Sequence, residues 1–170
     1  MYKKTMFCFF IIPLISSSII LAQISEAISV ASLTGLTGMK VSVKDVTPDV
    51  QQDGLRTEHI QRDVELSLRT AGVKVLTSGI WIDSVGNAEL YVDVDALKYS
   101  GSQYAYHVEV SVIQKVGLNR KPTSETLAKT WSDKVMGIVG VSNMATKIRE
   151  QVKALVDKFI NDYLSVNPKK

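Results

Sequence analysis

Between residues 88 and 116 the chain alternates apolar and polar side chains strictly, and this constrains the fold more than any other feature. Leu90, Val92, Val94 and Ala96 alternate with Glu89, Tyr91, Asp93 and Asp95. After a polar break at 98–103, Tyr104, Tyr106, Val108, Val110 and Val112 alternate with Ala105, His107, Glu109 and Ser111. A period of two marks a strand with one buried face and one wet face. Tyr99-Ser100-Gly101-Ser102 supplies turn chemistry, so an antiparallel hairpin is expected. Its apolar face needs a cover, and the flanking segments provide one.

Upstream, residues 39–46 alternate Met39, Val41 and Val43 against Lys40, Ser42 and Lys44, predicting a first strand that Pro48 ends by lacking an N–H. Thr57 with Glu58 opens a predicted helix to about Ala71. Ile60, Val64, Leu68 and Ala71 form its apolar stripe, Leu55 staples its start, and Gly72 follows as the C′ residue. Residues 73–76 read as a short strand, closing a crossover unit if it runs parallel to the first. A connector at 77–87 carries Trp81 and Ile82. Past the hairpin, 117–122 makes an exit turn and 124–135 a further strand whose buried face the pattern leaves undecided. Gly137-Ile138-Val139-Gly140 reads as a loop. Ser142 or Asn143 then caps a long helix to about Leu164, striped by Ile148, Val152, Leu155, Phe159 and Tyr163. The expected fold class is α+β: one mostly antiparallel sheet of about five strands with two helices packed on one face, in the order β-α-β-β-β-β-α. The sheet's other face is left open to water or to a partner.

The first residues carry an address. Lys3 and Lys4 precede an apolar run from Met6 to Leu21, and Ser25-Glu26-Ala27 offers small residues for cleavage after Ala27. A retained membrane anchor is the competing reading, disfavoured by the run's shortness, Pro13 and the triplet Ser16-Ser17-Ser18. The expected organisation is a signal peptide at 1–27, a flexible lead-in at 28–38, a single α/β domain at 39–165 and a C-terminal tail at 166–170. Removing the signal takes the formal charge from +3 to +2, two lysines and one glutamate being lost. That balance gives no basic footprint for nucleic acid. The only cysteine, Cys8, lies inside the apolar run and is not placed to carry lipid, so the mature chain has no thiol chemistry. Without an Asn-x-Ser/Thr acceptor, the pattern favours a bacterial exported protein, periplasmic or secreted.

The open face of the hairpin is the candidate site. It should display Glu89, Tyr91, Asp93 and Asp95 beside His107 and Glu109. Carboxylates and an imidazole serve acid–base chemistry or hard cations, but Asp93 and Asp95 lie about 7 Å apart along a strand and no calcium-loop pattern occurs. A solvated sheet face accounts for them more simply, and replacing Asp93 and Asp95 by Asn is then expected to relieve like-charge crowding. His59 has no second histidine or cysteine at ligand spacing, so no metal is expected. With two histidines and no nucleophile elbow, a triad hydrolase has nothing to build on. Gly137-x-x-Gly140 lacks the Gly-Lys-Ser/Thr ending of a phosphate loop. Trp81 and Trp131 read as core fillers.

A strand, a helix ending in Leu68-Arg69-Thr70-Ala71-Gly72-Val73-Lys74-Val75, a strand pair and a long closing helix resemble small exported α/β domains of bacterial envelope assembly. The N-terminal domain of the Tol translocation protein and the lipoprotein activators of peptidoglycan synthases are examples. The resemblance follows element order over most of 39–164, its local signature being the Leu-Arg-x-Ala-Gly-Val corner. It implies a binding or scaffolding module with no catalytic residue to transfer. This chain lacks those lipoproteins' anchoring cysteine.

The expectation is therefore a non-enzymatic exported module acting on another envelope protein or polymer, with no cofactor, catalytic residue or metal. Its interaction face would be Tyr91, Asp93, Asp95, His107 and Glu109. No nucleic acid is expected, and membrane contact only through an uncleaved signal. The alternative is a small-ligand carrier or enzyme with a pocket between sheet and helices, lined by Tyr104, Tyr106 and Trp131.

Overall fold

The structure is a computed structural model and describes residues 16–168. Its centre is the hairpin of β2 (Glu89–Ser100) and β3 (Gln103–Leu118), antiparallel with Leu90 opposite Val112, Val92 opposite Val110 and Val94 opposite Val108. All six are buried to within 3% exposure, so the period-two pattern specified the register. β1 (Lys40–Val43) adds parallel to β2, and β4 (Lys121–Gly140) adds antiparallel to β3. The sheet is thus mixed, with four strands in the order β1-β2-β3-β4.

The expected fifth strand at 73–76 shrinks to one parallel bridge between Met39 and Val75. Gly72, at φ +81°, closes a helix corner there: its amide bonds to the Arg69 carbonyl and that of Val73 to the Leu68 carbonyl. Met39 accepts from Leu76 and donates to Lys74, and the chain then turns away. The expected loop at 137–140 is instead the end of β4, paired with Tyr104 and Tyr106 of β3. Gly137 is needed by its neighbour, since a Cβ there would lie 2.6 Å from the Tyr106 hydroxyl.

Among the described residues there are five α-helices where two were expected. α3 (Thr57–Thr70) and α5 (Met144–Val166) are the anticipated pair and pack on each other, α3 against β1 and α5 against β3 and β4. Ile60, Val64 and Leu68 of α3 are buried, as are Ile148, Val152, Phe159 and Tyr163 of α5. α3 opens at Thr57 as expected, with Arg56 in the N-cap position, and the Thr57 hydroxyl accepts from the Val46 amide. α2 (Pro48–Gln52) and α4 (Ser78–Ile82) are short turns of helix in the connectors. Trp81 of α4 is half-buried rather than a core filler, with the Lys40 ammonium 4.8 Å from its ring centroid. Trp131 decides the strand whose buried face was open: it is 3% exposed and packs edge-on against Phe159 at 5.2 Å.

α1 (Ser16–Ala31) runs through the expected cleavage position and rests against α5 and β4. The expected signal's residues 1–15 lie outside the described residues. The segment 28–38 is not a loose lead-in. Leu33 and Leu36 are 0% and 5% exposed within the core, and the Ser29 and Ser32 hydroxyls donate to the Thr130 carbonyl. Asn167, in the expected C-terminal tail, is held in place. Its side chain donates to the carbonyls of Tyr163 and Leu33 and accepts from the Gly35 amide, tying the end of α5 to this segment. Among the described residues no helix is long and apolar enough to cross a membrane.

Candidate functional site

α3 and α5 pack on one side of the sheet, and on the other side Leu97, Met136 and Ile138 are exposed while Ser111 is buried. The register lays the residues of that other side in cross-strand rows: Tyr91–Ser111–Ser132, Asp93–Glu109–Lys134, Asp95–His107–Met136 and Leu97–Ala105–Ile138. Tyr91, Asp93, Asp95, His107 and Glu109 therefore do share one face, as their spacing predicts. The carboxylates of this face are each in contact with a lysine, Asp93 and Asp95 sharing one. Lys44 lies 2.9 Å from Asp93 and 2.8 Å from Asp95, Lys129 lies 2.6 Å from Glu109, and Lys40 lies 3.3 Å from Glu89.

The sequence signal for Lys40 and Lys44 lies in 39–46, where Lys40, Ser42 and Lys44 alternate outward in and just after β1. The parallel pairing of β1 with β2 brings their cations over the acidic row. The two aspartates raise the Lys44 ammonium above its ordinary value, Asp95 more strongly than Asp93. Asp93 meets Lys44 as an ion pair rather than an aligned hydrogen bond, its Oδ1 being otherwise without a donor. Among the described residues no three histidine, cysteine or acidic side chains gather as a metal site.

The same face changes character toward the hairpin tip. Leu97, Met136 and Ile138 are 70%, 75% and 63% exposed, and Ala105 lies between Leu97 and Ile138 as a low point. Tyr99, beyond Leu97, is also exposed and donates its hydroxyl to Gln103. The sequence pattern does not single out this apolar end. Leu97 follows directly from the outward phase of Asp93 and Asp95. Ile138 falls in 137–140, which reads as loop, and Met136 lies between that segment and the expected strand 124–135.

The pocket expected between sheet and helices is filled. Tyr104, Tyr106 and Trp131 are 1%, 8% and 3% exposed and belong to the core. Tyr104 donates to Asp53 at 2.7 Å and Trp131 Nε1 to Asp162 at 2.9 Å, so their polar tips are satisfied at the rim. The hollows that touch two of them open outward. One of about 460 Å³ lies between the 44–47 turn and the edge of β2 beside Met136 and His107, and one of about 620 Å³ lies between α1 and β4 beside Lys129 and Lys158. A third, of about 420 Å³, is a shallow groove between α3 and α5 crossed by the Asp63–Arg149 pair.

No protein-family description matches the chain, and no curated protein does. Among solved structures the chain is similar to rare lipoprotein B from Shewanella oneidensis. The identity is 11%, 75% of this chain and 96% of that chain are covered, and the TM-score is 0.37.

Proposed function

We propose that this protein is an exported, non-enzymatic binding module of the bacterial envelope that engages another envelope protein or polymer through the open face of its sheet. One observation carries the reading: a sheet with α3 and α5 on one side, whose other side is apolar at the tip and carries lysine-paired carboxylates below. Exposed apolar residues rimmed by polar ones suit recognition. The lysine-paired carboxylates argue against acid–base work, which needs a free acid or base with a shifted proton affinity. Within this reading Leu97, Met136 and Ile138 supply the contact area, and Tyr91, Asp93, Asp95, His107 and Glu109 its polar flank. The leader at 1–27 delivers the protein to the periplasm or outside and is removed after Ala27. The core residues Leu33 and Leu36 remain in the processed chain, which begins at Ile28.

A photo-reactive side chain placed at Leu97, in cells of the native host, tests the site. Leu66 on α3, 62% exposed on the helix side, is the control. The reading expects adducts of defined mass from Leu97 and none from Leu66. Adducts from Leu66 alone, or from neither position, refute it. Intact mass of the exported protein tests the address: a species retaining residues 1–27 in the membrane refutes cleavage.

A further inference from the structure

β4 is an edge strand, and along 134–140 no other strand of the described residues pairs with its outer side. Further down the strand, the Thr130 carbonyl is occupied by the Ser29 and Ser32 hydroxyls. Edges are ordinarily protected by charge, proline or a bulge. Here the run Val135-Met136-Gly137-Ile138-Val139-Gly140-Val141 has no charge and no proline.

The direction of its backbone groups follows from two bonds. The Val141 amide donates to the Ser102 carbonyl at 3.0 Å, which assigns the odd-numbered residues to the ladder with β3. The Lys134 amide donates to the Asp133 carboxylate at 2.8 Å instead. By alternation, Met136 and Ile138 direct their N–H and C=O groups to the free side.

We infer that two copies of this chain pair β4 to β4, antiparallel about Gly137, into one continuous sheet. The run reads alike in both directions about that glycine: Val135 faces Val139 of the second copy, Met136 faces Ile138, and Gly137 faces Gly137. Met136 and Ile138, with outward amides, form the hydrogen-bonded rungs. Gly137 falls on the non-hydrogen-bonded rung, where the chains come closest, and it already lacks a side chain because of Tyr106. Lys134 faces Gly140, so no like charges oppose. A two-fold centred on Lys134 would set Lys134 against itself, and centring on Val135 or Met136 would set it against Met136 or Ile138. The interface is isologous and closes at two copies. It places the Leu97–Met136–Ile138 patches of both copies side by side, so each copy completes the other's apolar face. The pairing concerns the strand edge and stands apart from what the face binds.

Sedimentation of the exported protein over a concentration series tests it, with two double variants, Met136→Lys with Ile138→Lys and Met136→Glu with Ile138→Glu. The pairing expects a wild-type dimer, a folded monomer with a cooperative unfolding transition for each double variant alone, and a dimer restored on mixing them. A wild type monomeric at every soluble concentration overturns the inference and leaves the binding reading standing, as does a double variant that stays dimeric. Failure of the mixture to associate overturns the register. Should either double variant fold poorly, a Met136→Cys chain mixed with an Ile138→Cys chain replaces it. Oxidation must then give mixed disulfide dimers in excess over like-with-like dimers, and the reverse overturns the pairing.

Discussion

The Tyr104 hydroxyl donates to the Asp53 carboxylate at 2.7 Å across 51 positions of sequence, and Lys98 donates to the same oxygen at 3.0 Å. The Lys98 ammonium also stands 5.5 Å from the Tyr104 ring centroid. The three residues fasten the turn after α2 to the upper end of the hairpin.

Both ionisations are displaced by this contact. The carboxylate hydrogen bond, aided by burial, pushes the Tyr104 hydroxyl from 10.0 to about 12. The Tyr104 and Lys98 hydrogen bonds hold the Asp53 carboxyl below its ordinary value. For Tyr104 the folded state keeps its proton longer, so its contribution is complete below about pH 10 and is lost as pH rises through about 12. For Asp53 the contribution is complete above the ordinary carboxyl range and is lost as pH falls through its lowered value. Unfolding midpoints measured against pH should therefore fall less steeply at the alkaline end in Tyr104→Phe than in the wild type. Identical alkaline limbs would show that the contact adds nothing to stability.

The double replacement of Asp93 and Asp95 by Asn should lower stability slightly, by less than about 1 kcal/mol, and the loss should vanish in high salt. Sequence alone predicts the opposite sign, because two carboxylates on one strand face suggest repulsion. Lys44, within 2.9 Å of both, converts the crowding into attraction. The half-exposed setting keeps the effect small. Chemical denaturation at low and high salt decides the sign.

Leu33→Ala should cost about 2–5 kcal/mol, the range for truncating a fully buried leucine. A flexible lead-in would instead predict a surface-like loss within about 0.5 kcal/mol. Denaturation of the processed chain distinguishes the two, because Leu33 follows the expected cut.

Gly137→Ala should destabilise by about 1–3 kcal/mol through overpacking. The added Cβ would meet the Tyr106 ring at 2.6 Å from the hydroxyl oxygen and 2.7 Å from Cζ. Gly79, with open space around it, is the control: Gly79→Ala meets no atom within 4 Å. Equal unfolding midpoints for the two variants would contradict the close approach.

Phe159→Ala should cost about 3–5 kcal/mol. The ring is fully buried, 5.2 Å from Trp131 and 6.0 Å from Tyr163, so no neighbour can refill its volume without moving the sheet or α5. A loss under about 1 kcal/mol would place the stripe outside the core.

Where burial repeats at a fixed interval, the sequence determined the outcome by itself. The alternation of 88–116 gave the hairpin, its inward residues and its outward acids, and the stripes of α3 and α5 gave both major helices and the faces they bury. Local chemistry sufficed, because each residue's side follows from its neighbours two, three or four places away. Everything set by distant partners waited for the tertiary structure. Residues 137–140 are strand because β3 is long enough to pair with them, although two glycines in four residues look like loop. Leu33 and Leu36 are core because the end of α5, through Tyr163 and Asn167, comes back to hold their turn. The outward carboxylates are quiet because β1 runs parallel to β2 and delivers Lys40 and Lys44 to them. Their pairing energies depend on separation in space, and a one-dimensional pattern carries no measure of that across some fifty residues.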